Sequence, residues 1–306
     1  MTDISVVVAT RNRAERLRAL LDSLAGHPRH EVVVVDDGSD DDTQAVVAAA
    51  GVRGIRLPQS LGPAAARNRG WREAAGSLIV FSDDDVVAQP GWLQALADAH
   101  ARDPEAIVQG RTEPDPREAH RLSAFSRSQE ATGPGPWFQT CNIAYPRALL
   151  ERLGGFDESF PDAMGEDTDL GWRAVEAGTR VVYEPGALNW HAVHEPGAIA
   201  LIRSTQRWRR GVRNFARHPQ LREALHRGLF WKVSHERLLI AAAGLAIARR
   251  APALAVAAAV PYLALHRSQH GSYAGTAAAL PAHIALDTAE VVAMVRGSIA
   301  AGTLVL

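Results

Sequence analysis

The stretch Ser77-Leu78-Ile79-Val80-Phe81-Ser82-Asp83-Asp84-Asp85 sets an apolar run against three consecutive carboxylates. The run has strand length and ends at the triplet, so it predicts a buried strand over residues 77–81. Adjacent carboxylates at a strand end repel one another unless a cation neutralises them, and hard divalent ions take oxygen ligands. A solvated acidic turn would carry the same residues. Position directly after a buried strand favours the metal.

The same pattern recurs upstream. Ile4-Ser5-Val6-Val7-Val8-Ala9 is a β-branched run that feeds Thr10-Arg11-Asn12-Arg13. A helix is predicted over residues 14–25, with Leu17, Leu20, Leu21 and Leu24 at helical spacing. A second buried strand, Glu31-Val32-Val33-Val34-Val35, runs into Asp36-Asp37-Gly38-Ser39. Thr43 is placed as the cap of a helix through Ala50, residues 54–57 form a weaker strand, and Pro63 opens a helix toward Ala75. Strand–helix alternation of this kind implies a doubly wound α/β sheet with a nucleotide site at the carboxyl ends of its strands. Three polar clusters sit where that rule places them.

Downstream the signals thin. Residues 104–136 are rich in Pro, Arg and Glu and suggest an excursion or flexible loop. A strand is predicted over residues 138–145, a turn at Gly154-Gly155-Phe156-Asp157, and a helix over residues 166–177 stopped by Gly178. Residues 180–183 form a further strand, followed by Leu188-Asn189-Trp190-His191. After Gly197 an arginine-rich stretch leads to an alanine- and leucine-rich segment over residues 238–265, broken by Arg249-Arg250 and Pro252. Each arm is too short to span a bilayer alone. His283, Asp287 and Glu290 argue against a simple spanning helix over residues 277–295.

Composition narrows the function classes. The formal net charge of −1 lacks the basic excess of a general nucleic-acid binder, so no nucleic-acid partner is expected. A single cysteine, Cys141, excludes an intramolecular disulfide and a zinc site built from several thiolates. All basic residues except the histidines and Lys232 are arginines, so an arginine carries weight only where its position gives a reason. Met1-Thr2-Asp3 has no positive n-region, and the domain beginning there is expected to stay in the cytosol.

Several side chains are candidates for chemistry. One carboxylate of Asp36-Asp37 can accept from a base or ribose, although Asx-type turn bonds would use the same residues. Arg67, in Gly62-Pro63-Ala64-Ala65-Ala66-Arg67-Asn68-Arg69-Gly70, can reach a phosphate or base from a helix whose small residues allow close approach to the sheet; a plain exposed arginine reads the same. Glu166-Asp167 opens a helix, where acidic residues also suit the dipole. A carboxylate can also take the proton of an attacking hydroxyl, and Asp167 is the choice for such a base. His191 or His194 is a third metal ligand or an ordinary histidine.

Taken in order, these pieces resemble the inverting family 2 of glycosyltransferases. The matching segments are residues 6–13, 34–39, 62–70, 81–85, 154–158 and 165–170, within roughly the first 195 residues. Ala9 and Arg11 stand where that family often has proline and tyrosine. The resemblance implies the GT-A fold, a Rossmann-like mixed sheet flanked by helices, over residues 1–196. Its nucleotide-sugar half covers about 1–103 and its acceptor half about 104–196, with a helical region over residues 197–306. It implies a divalent cofactor, Mn2+ or Mg2+, held by Asp83, Asp85 and His191, and a nucleoside-diphosphate sugar donor, expected to be a UDP-sugar. Thr10, Arg13, Asp36, Asp37, Arg67 and Asp84 would bind that donor. Asp167 would be the base for an acceptor hydroxyl, with Glu166 and Trp137 on the acceptor side.

Two other classes compete. A sugar-1-phosphate nucleotidyltransferase should carry a glycine-rich loop after the first strand, which Thr10-Arg11-Asn12-Arg13 lacks. A degenerate scaffold protein would have no need of the acidic triplet and Asp167. Arg203, Arg207, Arg210 and Arg217 can share one helical face, which suits either an anionic membrane surface or a solvated basic helix. The expectation is an enzyme peripheral or monotopic at the cytoplasmic face of a membrane.

Overall fold

The computed structural model describes residues 4–27, 30–160, 162–270 and 273–306. Met1-Thr2-Asp3, where no leader is expected, lie outside them. Two compact units emerge: Met1–Leu122 with Arg127–His194, and Ser123–Ser126 with Glu195–Leu306.

The first unit is a single mixed sheet with helices on both faces. Its strands are β1 (Ile4–Thr10), β2 (His30–Asp36), β3 (Arg53–Arg56), β4 (Leu78–Asp83), β5 (Val86–Ala88), β6 (Ile107–Pro114), β7 (Ile143–Pro146) and β8 (Val181–His191). They lie in the order β3-β2-β1-β4-β7-β6-β8-β5. The first four are parallel, β7 is antiparallel to both β4 and β6, and β5 is antiparallel to β8. The helices are α1 (Ala14–Leu24), α2 (Thr43–Ala50), α3 (Pro63–Glu73), α4 (Trp92–Arg102), α5 (Arg147–Leu153) and α6 (Glu166–Glu176).

Alternation along the strands divides the core in two. Val6, Val8, Val34, Leu78 and Val80 pack with Leu17, Leu20 and Leu24 of α1 and with Trp92, Leu93 and Leu96 of α4. Val7, Val33, Val35, Ile79 and Phe81 pack on the other face with Ala64, Ala66 and Trp71 of α3 and Leu170 of α6. Each such valine or leucine, fully buried, contributes about 2 kcal/mol. Helix α3 lies so close to the sheet that a Cβ on Gly70 would collide with Val7.

Four sequence expectations change. The 104–136 excursion contains β6, followed by a 3-10 turn at Pro116–Arg121. Its sequence carries little strand signal because only Ile107 and Val108 are apolar there; backbone pairing with β8 and the bond from Gln109 Nε2 to Asn142 O (2.7 Å) do the rest. The strand predicted over residues 138–145 shrinks to β7, because Phe138 adopts φ 52° and breaks the extension. Val181–His191 form one strand, β8, whose pairing with β6 shifts register between Gly110 and Arg111. Thr43 is the first helical residue rather than a cap, and Asp41 Oδ1 accepts from its N–H at 3.1 Å.

The second unit is helical: α7 (Gly197–Ser204), α8 (Trp208–Gly211), α9 (Arg213–Arg217), α10 (Val233–Ala246), α11 (Pro252–His270) and α12 (Tyr273–Ala301). The arginine-rich stretch is a run of consecutive short helical segments, with a 3-10 turn at Thr205–Arg207, rather than one regular helix. The break at Arg249-Arg250 separates α10 from α11. Within α12, Ala274–Ala301 is long and apolar enough to cross a membrane by length and composition, and His283, Asp287 and Glu290 are buried.

Candidate active site

The parallel register brings the polar clusters to one edge. Thr10 pairs with Asp36 across β1–β2, and Ala9 pairs with Asp83 across β1–β4. Strand ends of this kind expose side chains and backbone groups beyond the last ladder bond, which is where open α/β sheets bind ligands.

The triplet divides its labour. Asp83 ends β4 and is held by Arg67 Nη2 at 2.9 Å. Asp84 is buried; it accepts from Thr10 Oγ1 at 2.7 Å and from Arg13 Nη1 at 3.0 Å. Burial and the neighbouring Asp85 push its carboxyl up to about 6, against the pull of Arg13. Asp85 takes Arg13 Nη1 at 2.6 Å. Burial opposes its ionisation, but the His194 hydrogen bond and the charges of His191 and Arg13 hold it well below the usual carboxylate range.

Strand β8 delivers the histidines. Val86 pairs with His191, and Ala192 N–H donates to Asp85 O at 2.9 Å. His194 Nε2 lies 2.8 Å from Asp85 Oδ2 and His191 Nε2 lies 3.4 Å from Asp85 Oδ1. His191 Nδ1 is 2.9 Å from Ala192 O, a carbonyl that can only accept, so Nδ1 carries a proton and Nε2 is the nitrogen on the Asp85 side. One donor atom from each of Asp85, His191 and His194 lies within 4.8 Å of the others. Asp85 Oδ1 is buried and has no hydrogen-bond partner among the described residues. Two imidazoles and a carboxylate with a spare oxygen fit a divalent ion. The sequence left His191 and His194 as alternatives; the structure brings both to Asp85, while Asp83 stands at Arg67.

Arg67 joins this edge to α6. It is buried, with Nη1 on Glu166 Oε1 at 2.7 Å and Nη2 on Asp83. Burial works against its charge, but Asp83, Glu166 and Asp167 more than offset that and raise its pKa. Glu166 Oε2 is buried without a hydrogen bond among the described residues, and burial raises the Glu166 carboxyl. Asp167 is half-buried, and Thr168 N–H holds its Oδ1 at 2.7 Å. Burial and the adjacent Glu166 push Asp167 up to about 8. That is the range of a general base working near neutral pH.

Asp36 and Asp37 both spend their oxygens inside the chain. Asp36 accepts from Ser39 N at 2.8 Å and Gln44 Nε2 at 2.6 Å. Asp37 accepts from Ser60 Oγ, Leu61 N and Gly62 N at 2.6, 2.7 and 3.1 Å. They fix the loops that frame the edge, including the start of α3. Trp137 belongs to a segment tied to α6: Thr168 Oγ1 donates to Trp137 O at 2.9 Å and Trp172 Nε1 to Pro136 O at 3.0 Å. Glu130, Trp137 and Gln139 are among the residues lining a cavity of about 420 Å³.

Two asparagines that the sequence did not single out hold these parts in register. Asn68 donates to Phe156 O (2.9 Å) and Glu158 Oε1 (2.7 Å) and accepts from Phe156 N and Trp71 Nε1, both at 2.9 Å. Gly155, at φ 77°, leaves no room for a Cβ beside Asn68 Oδ1. Asn142 accepts from Trp92 Nε1 and donates to Arg111 O and Ala187 O, each at 2.8 Å. A lone asparagine carries no periodicity, so only the adjacency of Asn68 to Arg67 hinted at its role.

Comparison with known proteins agrees with the geometry. The sequence model described as "Glycosyl transferase family 2" matches residues 5–154. Validoxylamine A glucosyltransferase of Streptomyces hygroscopicus subsp. jinggangensis is 33% identical over 288 residues, spanning 77% of this chain and 67% of that protein. Pre-mycofactocin glycosyltransferase of Mycobacterium tuberculosis is 35% identical over 205 residues, spanning 62% of this chain but only 42% of that protein. Among solved structures, the mannosyltransferase PcManGT from Pyrobaculum calidifontis, in complex with GDP-Man and Mn2+, shares the fold with a TM-score of 0.60 at 24% identity, covering 97% of this chain and 89% of that one. The ordered motifs, the mixed sheet and the likeness to the Streptomyces protein over 77% of this chain converge: the chain belongs to glycosyltransferase family 2.

Proposed function

We propose that this chain transfers a sugar from a nucleoside-diphosphate sugar to an acceptor hydroxyl, inverting the anomeric configuration with a divalent metal as cofactor. The observation that carries the reading is the shared strand edge. Supporting it are the Asp85–His191–His194 cluster and the Asp83–Arg67–Glu166 chain of ion pairs, which reaches the residue next to Asp167.

Asp85, His191 and His194 would hold the metal, with Asp83 beside it. When bound, the ion supplies positive charge to the departing diphosphate. Asp167 takes the proton of the acceptor hydroxyl as that oxygen attacks the anomeric carbon. The carbon–oxygen bond to the diphosphate breaks, and its electron pair leaves with the nucleoside diphosphate. Thr168 N–H fixes one Asp167 oxygen, which leaves the other to receive the proton. Thr10 and Arg13 orient Asp84 and Asp85, and Asp36 and Asp37 shape the nucleoside side through the loops they anchor. Trp137 and Glu166 flank the acceptor side.

A thermal-shift panel of nucleoside-diphosphate sugars, each with and without Mn2+ or Mg2+, tests the reading. Metal-dependent stabilisation by one nucleotide class, expected to be UDP-sugars, is the predicted result. No metal-dependent response to any nucleotide would sink it.

The second unit supports contact with an anionic membrane surface. Between Glu236 and Asp287 there is no acidic residue, while Arg237, Arg249, Arg250 and Arg267 are present. Leu245, Leu254, Val256 and Val260 in the same stretch are exposed by 71, 61, 65 and 53%. Apolar side chains flanked by arginines alone match the chemistry of an anionic interface.

A further inference from the structure

The second unit buries a set of ionisable side chains that sugar transfer does not use. His235 of α10, His266 of α11, and Asp287 and Glu290 of α12 are exposed by 0, 3, 5 and 2%. Asp287 and Glu290 are three residues apart on one helix and so share a face. His235 Nε2 lies 3.0 Å from Glu290 Oε2, and His266 Nε2 lies 3.5 Å from Asp287 Oδ2. One donor atom from each of His235, Asp287 and Glu290 lies within 4.8 Å of the others.

Both carboxylates have close polar partners within this unit. Lys232 Nζ sits 2.9 and 2.7 Å from the two Glu290 oxygens and compensates one carboxylate. Asp287 accepts from Ser234 Oγ at 3.1 Å and Tyr262 OH at 2.9 Å, and His266 Nε2 lies 3.5 Å from its Oδ2. The Lys232 side chain is 40% exposed and reaches Glu290 from the solvent side. It is the cation of the cluster most easily exchanged.

We propose that His235, Asp287 and Glu290 form a second divalent metal site in the helical unit, of the kind that takes zinc. Imidazole nitrogen and carboxylate oxygen are the donor set zinc accepts, and ligands drawn from two or more helices would fasten α10 to α12. Binding is an exchange in which the ion displaces the Lys232 ammonium from Glu290. The site stands whether or not the proposed reaction is right.

The test uses the full chain carrying Asp85→Asn and His194→Ala, which removes the strand-edge cluster. After chelator treatment this protein is titrated with Co2+ as a spectroscopic stand-in and with Zn2+ by competition. The expected result is a single equivalent of Co2+ with visible ligand-field absorption, displaced by Zn2+. Adding Lys232→Gln should tighten Zn2+ binding, on the order of 10-fold, because the competing ammonium is gone. Adding His235→Gln should abolish the spectrum. A purely structural ion-pair network predicts the reverse for Lys232→Gln, a less stable protein that still binds no metal. No Co2+ spectrum in the starting variant, or Zn2+ binding not tightened by Lys232→Gln, would overturn the site. The lysine variant decides the matter even if His235→Gln fails to fold.

Discussion

Replacing Arg67 by Met puts the strand edge under its most informative strain. The guanidinium is 6% exposed and shared between Glu166, 2% exposed, and Asp83. Removing one partner of a buried ion pair costs about 3–5 kcal/mol, because the remaining charge is left without compensation. Asp83 has a quarter of its side chain in solvent and Glu166 can escape by protonation, so the lower end, about 3 kcal/mol, applies. For a unit of this size that is a fall in Tm of about 6–12 °C. The loss should depend on pH. Glu166 already has a raised pKa, and without Arg67 it rises further. A carboxylate raised in the folded state penalises folding progressively above its unfolded pKa, since only the unfolded chain ionises freely. The deficit should therefore be larger at pH 8 than at pH 5, and adding Glu166→Gln should recover most of it. Thermal and urea unfolding of the single and double variants at both pH values is the assay. A Tm change under about 2 °C, an equal deficit at both pH values, or a double variant no better than the single would refute the reasoning.

Further outcomes follow from the same geometry. Asp167 is pushed up to about 8, so kcat/KM for transfer should climb as pH rises toward 8 and then level, a limb that pH-rate measurements on wild type would show. The same raised carboxyl makes the folded protein lose stability between about pH 4 and pH 8, so Tm should be higher at pH 6 than at pH 8. His194→Ala should weaken Mn2+ activation by about 10–100-fold, read as the metal concentration for half-maximal activity; an unchanged metal dependence removes His194 from the site. Leu254→Glu with Val256→Glu should abolish flotation with anionic phosphatidylglycerol vesicles while leaving donor binding intact. Equal flotation of the variant would take α11 off the membrane.

The nucleotide half was legible in the sequence because its signals are local. Val6, Val7 and Val8, then Val32 through Val35, declare buried strands, and each run ends in a polar cluster at the same sheet edge. The acceptor half was not. Strand β6 carries only two apolar residues and is held by Asn142 and Gln109, whose bonds reach more than 30 residues along the chain. The Asp85–His191–His194 cluster depended on β5 pairing with β8, a long-range contact that places both histidines near Asp85. Sequence spacing could rank neither histidine above the other. Arg67 was visible as a candidate, but its bridge to Glu166 spans 99 positions and only the fold reveals it.

The most direct test is sugar transfer by Asp167→Asn beside wild type, with product configuration read by NMR. Asparagine is nearly isosteric with the protonated carboxyl that burial favours, so Tm and metal-dependent donor binding should persist. Transfer should fall by about 10²- to 10⁴-fold, and the wild-type product should carry the anomeric configuration opposite to that of the donor. Transfer within about 10-fold of wild type, or a product that retains the donor configuration, would contradict the account.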